Sequence, residues 1–221
     1  MVARELISDT IPALKTSDTG KKALNWMEIF RISHLPIVNN LEFLGLISDS
    51  DIYDLNDPEQ PVGNHHLSLI KPFARDSQHI FEVISIASFM KLTVVPVLDD
   101  KNHFLGVVLS SELIDRMAEM SSLKEPGGII VLTLTQNDYS LSQIAQIIES
   151  NDAKVLNLYI TSSPDSSQLE ITLKLNTSNL LPVLQTFERF SYEVSAWHSD
   201  SDEMDSFYGD RFGSFMKFLD I

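Results

Sequence analysis

Three oxygen-bearing side chains, Ser48, Asp49 and Asp51, follow the apolar segment at residues 43–47. A carboxylate offers only acceptor oxygens, so it can hold two hydroxyl donors at once. The free amides at the start of a helix suit an anion such as a phosphate. This group of side chains is therefore a candidate ligand site. The alternative is local, because Ser48 or Asp49 can cap the helix that begins here, and both roles can hold together.

Two other candidate sites contain histidine. His34 precedes the predicted strand that contains Pro36 and is a candidate to border the same cleft as Ser48. The alternative for His34 is a surface or packed position. The pair His65 and His66 has no acid or third histidine at ligand spacing, which favours a polar loop over a metal site. We therefore expect no bound metal.

The sequence contains no recognisable catalytic motif. It has no nucleophile elbow of the Gly-x-Ser-x-Gly type, no phosphate loop ending in Gly-Lys-Ser/Thr and no His-Glu-x-x-His segment. Ser48 has no evident base beside it. We therefore expect a protein that is not an enzyme.

The Ser48 segment belongs to an internal repeat. Residues 33–52 and residues 93–113 share a run of apolar residue, proline, turn, Phe-Leu-Gly and a polar segment ending in an acid. Pro36 corresponds to Pro96, and Gly45 corresponds to Gly106 after a single insertion in the turn between them. Each copy is predicted to run strand–helix–strand–strand–helix, with a weakly marked first strand. Such half-units usually pack against each other.

The second half of the chain has a different pattern. Residues 122–128, SLKEPGG, mark a boundary because Pro and Gly end helices. Apolar periodicity then predicts the order βαββαβ over residues 129–198, with strict alternation at residues 169–175. Residues 199–221 are predicted to be an acidic spacer followed by an apolar C-terminal helix that docks on this chain or a second copy.

Composition limits the classes of function. The chain has 221 residues, is 43% apolar, contains no cysteine and carries a net charge of −15. This charge disfavours binding to nucleic acid or to an anionic membrane surface. The start lacks a signal-peptide pattern, and no apolar run approaches the roughly 18 residues of a membrane helix. A cytoplasmic protein is expected.

The duplicated unit resembles the cystathionine-β-synthase (CBS) domain, and two such units in tandem resemble a Bateman module. The resemblance covers residues 1–122, with repeat one at 1–57 and repeat two at 66–122. Its most specific element is GLISDSD at residues 45–51, which fits the family pattern of Gly, two apolar residues, Ser or Thr, two residues and Asp. The resemblance implies that Ser48 and Asp51, with Asp49, His34 and Pro36 nearby, bind an adenosine-containing ligand.

Repeat two departs from this pattern. Leu109 stands where Ser48 stands in repeat one, and Glu112 stands at the position of Asp51. A leucine cannot hydrogen-bond a ribose or a phosphate, and the longer glutamate crowds the same space. One competent cleft and one degenerate cleft are therefore expected.

Residues 129–198 resemble an ACT domain in strand order, which implies a ferredoxin-like α+β fold. In ACT domains that bind amino acids, the loop after the first strand often contains glycine, and Ser140 stands at that position here. Asn137 and Asp138 in the same loop are the candidate contacts for an amino group. A CBS pair followed by an ACT-like domain is similar to proteins of the acetoin-utilisation family.

The expected function is that of a sensor without an enzyme of its own. An adenosine nucleotide such as AMP, ADP or ATP would act as a regulatory ligand, not as a cofactor, and an unidentified protein would be regulated in trans. The alternatives are an amino-acid sensor that uses the ACT-like half and a ligand-free dimeric adaptor. A homodimer is expected, because the apolar helices at residues 52–55 and 113–117, together with the apolar tail, exceed what one small protomer can bury.

Overall fold

A computed structural model describes residues 1–65, 69–162 and 167–199. The chain divides into two compact units, Met1–Met117 and Ala118–Ile221. The predicted docking helix near the C-terminus, almost all of the acidic spacer and His66 lie outside the described residues.

The first copy of the repeat forms a small α+β unit. A 3-10 turn at Ala3–Leu6 leads to a single parallel bridge between Leu14 and Ile37, which is the weakly marked first strand. Thr19 then caps the first helix by accepting the Lys22 N–H, and the helix buries Ala23 and Met27. The elements that follow are α1 (Gly20–Phe30), β1 (His34–Asn39), β2 (Glu42–Ser48) and α2 (Asp49–Tyr53).

The second copy repeats this order, as the spacing predicts. Its first strand is again short and pairs in parallel with the next strand, Ala74 opposite Val97. This pair occupies the same place in copy two as the parallel bridge between Leu14 and Ile37 occupies in copy one. The elements are β3 (Ala74–Arg75), α3 (Ile80–Met90), β4 (Val94–Leu98), β5 (Phe104–Leu109) and α4 (Ser110–Met120).

The segment that precedes the first strand of each copy, here called its leading segment, pairs with a strand of the other copy. The N–H of Ser8, in the leading segment of copy one, donates to the carbonyl of Val107 in β5 at 2.8 Å. In the same way, the N–H of Leu46 in β2 donates to the carbonyl of Ile70, in the leading segment of copy two, at 2.9 Å. The buried side chains of both copies form one apolar core. The two half-units therefore pack as one body with a seam between them.

The repeated glycines make this exchange possible. Gly45 and Gly106 have φ of +151° and +152°, a conformation that favours glycine. A Cβ on Gly45 would lie 2.6 Å from the Cβ of Leu69, and one on Gly106 would lie 2.5 Å from the Cγ2 of Ile7. A glycine inside a strand predicts the close approach of another segment, and that segment is the leader of the opposite copy.

The second unit is a four-stranded antiparallel sheet in the order β7 (Val155–Ser162), β8 (Gln168–Leu175), β6 (Ile129–Thr135) and β9 (Glu193–His198). With two helices between the strands, this is the ferredoxin-like βαββαβ arrangement. The alternation at residues 169–175 is confirmed, because Leu169, Ile171, Leu173 and Leu175 are buried. The elements are β6 (Ile129–Thr135), α5 (Leu141–Glu149), β7 (Val155–Ser162), β8 (Gln168–Leu175), α6 (Leu181–Arg189) and β9 (Glu193–His198). The predicted α+β fold class is confirmed.

Candidate functional site

Ser48 and Asp51 are hydrogen-bonded to each other at the start of α2. The Ser48 N–H donates to Asp51 Oδ2 at 2.8 Å, and the Asp51 N–H donates to Ser48 Oγ at 3.1 Å. The Ser48 hydroxyl also lies 2.7 Å from Asp51 Oδ2. This reciprocal pair is a capping box, so the local alternative raised by the sequence is present. Both side chains remain accessible, with Ser48 half-buried and Asp51 exposed.

His34 begins β1 directly opposite Ser48 in the antiparallel register. Its Nδ1 lies 3.1 Å from the hydroxyl of Thr93, which precedes β4 in the other copy. The same hydroxyl oxygen accepts the Ser33 N–H at 3.0 Å. The Thr93 N–H also points at His34 Nδ1, at 3.4 Å. These bonds tie the imidazole to the seam between the two copies.

The hydrogen bonds and burial both favour neutral His34. Because Nδ1 receives the Thr93 N–H, it acts as an acceptor, which places the ring proton on Nε2. Burial lowers the pKa of His34, and the nearby Asp49 and Asp51 carboxylates oppose this shift. His34 therefore presents a neutral N–H donor beside two carboxylates.

The structure brings four of the five predicted residues to the same end of the β1–β2 hairpin. Asp49 is half-buried there, and its N–H donates to the Ser33 carbonyl at 3.1 Å. Pro36 differs, because it is buried within β1 and its carbonyl accepts the Leu14 N–H at 2.8 Å. It is a packed strand residue two positions from His34. Thr93 was missed, although it holds the position in copy two that Ser33 holds in copy one.

The matching end of copy two has a different chemistry. Leu109 stands where the capping serine stands in copy one, and the Ser110 hydroxyl donates to the Leu92 carbonyl at 2.6 Å. Glu112 Oε1 lies 3.6 Å from Nη2 of Arg116, which is one turn further along α4. The carboxylate of this copy therefore has a cationic neighbour on its own helix.

Asn137 and Asp138 line a cavity in the second unit. The cavity has a volume of about 640 Å³ and also includes Gln143, Tyr192 and Glu193. The Tyr192 hydroxyl donates to Gln143 Oε1 at 2.9 Å. Ser140, at the place of the expected glycine, caps α5 by accepting the Gln143 N–H. The two candidate residues thus face a space large enough for a small molecule.

The described residues contain neither a cluster of metal-ligating side chains nor a helix that could span a membrane. Within residues 1–65, 69–162 and 167–199, no group of three or more His, Asp or Glu side chains could hold a metal ion. His65 Nε2 is buried and lacks a hydrogen-bond partner in the part of the chain that the structure describes. No helix in the same part is both long and apolar enough to cross a bilayer.

Comparison with protein families identifies the first copy. The family model described as "CBS domain" matches residues 3–56. Residues 3–56 are a CBS domain. Because the second copy repeats its strands and helices in the same order and with equivalent pairing, the N-terminal unit is a tandem CBS pair.

A curated relative aligns with about two thirds of the chain. Inosine-5'-monophosphate dehydrogenase of Methanocaldococcus jannaschii is 21% identical over 149 residues, which is 67% of this chain. The alignment covers 30% of that enzyme, so this chain spans less than a third of its length.

Solved structures of CBS proteins have similar folds. A CBS domain pair/ACT domain protein from Thermotoga maritima is 20% identical, with 54% of this chain and 98% of that chain covered and a TM-score of 0.48. CBSX2 in complex with AMP is 18% identical, with 53% and 96% covered and a TM-score of 0.46. The CBS domain of a bacterial CNNM/CorC family Mg²⁺ transporter in complex with ATP is 16% identical, with 52% and 85% covered and a TM-score of 0.42.

Proposed function

We propose that this chain is a non-catalytic regulatory protein whose CBS pair binds an adenosine-containing ligand. The observation that carries the proposal is the meeting of Ser48, Asp51 and His34 at the seam between two half-units. A hydroxyl, a carboxylate and a neutral imidazole N–H supply both acceptors and donors for a nucleoside. The side chains come from β1 and the start of α2, and Thr93 of the opposite copy holds the imidazole.

The charge of this site favours the nucleoside over additional phosphates. Asp51 is the expected acceptor for the ribose hydroxyls, and Asp49 adds a second carboxylate close by. A ligand with more phosphates brings more negative charge towards these two acids. We therefore expect AMP to bind more tightly than ATP when no divalent cation is present.

The second cleft is proposed to be degenerate. Leu109 provides no hydroxyl, and Glu112 is close to Arg116. One nucleotide per chain is the expected stoichiometry.

Titration calorimetry of the nucleotide-free protein with adenosine, AMP, ADP and ATP tests this proposal. Asp51→Asn keeps an oxygen for the helix cap but removes the charge, and it should weaken binding at least tenfold, about 1.4 kcal/mol. Glu112→Gln is the matched control in copy two and should leave binding unchanged. The proposal fails if no adenosine compound binds below about 1 mM, an affinity of roughly 4 kcal/mol.

A homodimer is also proposed, with α3 and α4 at the interface. An apolar groove of about 380 Å³ runs between these helices and is lined by Leu92, Leu113 and Met117. Ile114 in the groove wall is 70% exposed, and Phe89 of α3 is 89% exposed. Two copies related by a twofold axis could bury these side chains in each other's grooves. An unidentified protein would then read the ligand-dependent arrangement of the pair.

Amino-acid sensing through the second unit is the second candidate function. The observation that favours it is the cavity that holds Asn137 and Asp138 together with Tyr192. The cavity size falls within the range of small-molecule sites. A thermal-shift screen of the twenty amino acids checks this candidate separately. An amino acid that binds in this cavity should raise the melting temperature of the protein, and a nucleotide is not expected to act there.

A further inference from the structure

The cavity of the second unit has walls from three segments of the chain. The loop between β6 and α5 contributes Asn137 and Asp138. The start of β9 contributes Glu193 and the residue before it, Tyr192, and β8 contributes Gln168. These segments are far apart in sequence, but the β6–β8 and β6–β9 pairings bring them to one end of the sheet. The site is therefore built by the fold and not by a single loop.

The lining of this cavity is acidic. Among the residues that form its wall are two carboxylates, Asp138 and Glu193, and none of these described residues is Lys, Arg or His. Burial raises the pKa of Tyr192, and the charge of Asp138 raises it further. Tyr192 therefore remains a neutral phenol close to a negatively charged group.

The hydrogen bonds inside the cavity orient its polar groups. The Thr135 hydroxyl donates to Asp138 Oδ2 at 2.5 Å, which fixes the carboxylate. The Tyr192 hydroxyl donates to Gln143 Oε1 at 2.9 Å. The amide nitrogen of Gln143 is then the hydrogen-bond donor of that side chain. The wall thus combines one oriented, negatively charged hydrogen-bond acceptor, the Asp138 carboxylate, with a neutral donor, the Gln143 amide.

We infer that this cavity binds an organic amine that lacks a carboxylate, in preference to a zwitterionic amino acid. The inference concerns the cavity of the second candidate function but goes beyond it, because it assigns the cavity a different class of ligand. A protonated amine can form charge-assisted hydrogen bonds with Asp138 and Glu193. A ligand carboxylate would lie near both acids with no basic side chain in the wall to balance it. Because both acids are exposed, the preference should weaken as salt concentration rises.

Matched pairs of ligands isolate the effect of the carboxylate. Agmatine and arginine differ mainly by this group, as do cadaverine and lysine, and tyramine and tyrosine. Calorimetric titration of the full-length protein at low ionic strength should show at least one amine binding about tenfold or more tightly than its parent amino acid. Raising the salt concentration to 0.5 M should reduce that difference, as expected for a screened charge interaction with a Debye length of only about 4 Å.

Charge-removing substitutions locate the site. Asp138→Asn and Glu193→Gln should each weaken binding of that amine about tenfold. Glu170→Gln is the matched control, because Glu170 lies in β8 outside the cavity wall and should have no effect. Circular dichroism of each variant verifies that the fold is retained.

The possible outcomes separate this inference from amino-acid sensing at the same cavity. If an amino acid binds as tightly as its amine, the inference is overturned while amino-acid sensing stands. If neither class binds below about 10 mM, both are overturned. If an amine binds but Glu170→Gln weakens it as much as Asp138→Asn does, the assignment to this cavity is overturned.

Discussion

The substitution Gly106→Ala tests the exchange of leading segments that creates the seam. In β5, Gly106 has φ of +152°, and an added Cβ would lie 2.5 Å from the Cγ2 of Ile7. The other atoms of Ile7 are farther away, with its Cβ at 3.9 Å. The obstacle is therefore one methyl group, the γ2 branch on the Ile7 Cβ.

Two costs contribute to the expected loss of stability. Alanine at this φ costs about 1–3 kcal/mol of backbone strain. Overpacking against Ile7 costs a further 1–3 kcal/mol or so. The free energy of unfolding should fall by about 2–6 kcal/mol, a large share of the stability of roughly 5–15 kcal/mol typical of a domain.

A double-mutant cycle measured by denaturant titration separates the two costs. Ile7→Ala removes the obstructing methyl, so it should relieve the overpacking and give a favourable coupling energy of about 1–3 kcal/mol with Gly106→Ala. The equivalent cycle in copy one is the control. There, the added Cβ of Gly45→Ala would meet the Leu69 Cβ at 2.6 Å and the Ile70 carbonyl oxygen at 2.9 Å, and both atoms remain after Leu69→Ala.

The control cycle should therefore give a coupling energy below about 0.5 kcal/mol. Equal coupling in the two cycles, or no coupling between Ile7 and Gly106, would show that the leading segments do not lie across the opposite strands as described.

Three further predictions concern stability and assembly. The pKa of His34 is lowered on folding from its ordinary 6.5, so the unfolded state binds more protons near pH 6 than the folded state does. The contribution of His34 to the free energy of unfolding is therefore complete above pH 6.5 and is lost as the pH falls through the lowered pKa. His34→Gln should flatten that dependence in denaturant titrations at pH 5–7, and an unchanged slope would refute the assignment. Ile114→Asp should convert the proposed dimer to a monomer of 24.9 kDa in light scattering, whereas a wild-type protein that is already monomeric would refute the dimer. Arg4→Gln removes the cation bonded to the buried Asp76 carboxylate, so it should lower the free energy of unfolding by about 1–3 kcal/mol, and a loss below about 0.5 kcal/mol, typical of surface substitutions, would contradict that role.

The repeat allowed most of the fold to be predicted from sequence. The correspondence of Pro36 and Pro96 identifies equivalent strands, and alternation at residues 169–175 reflects a sheet with one covered face. The capping role of Ser48 also followed from residue type and position. These features depend on residues close together in the chain, so the sequence pattern alone predicts them.

The features that were missed depend on contacts between distant residues. Thr93 is an ordinary strand-edge threonine until the packing of two copies places it 3.1 Å from His34. Nothing in the sequence near Ile7 indicates that it crosses Gly106. Likewise, Tyr192 and Glu193 join Asp138 only through the strand order of the second unit. Residue type predicts a candidate, but tertiary pairing decides which candidates meet.

A crystal structure of the protein with AMP tests the central proposal most directly. One ribose is expected at the seam, with its hydroxyls within hydrogen-bond distance of the Asp51 carboxylate and close to His34, and no nucleotide is expected at Leu109 and Glu112. A nucleotide bound elsewhere, or a Ser48 end of the seam filled by the protein's own side chains, would contradict it.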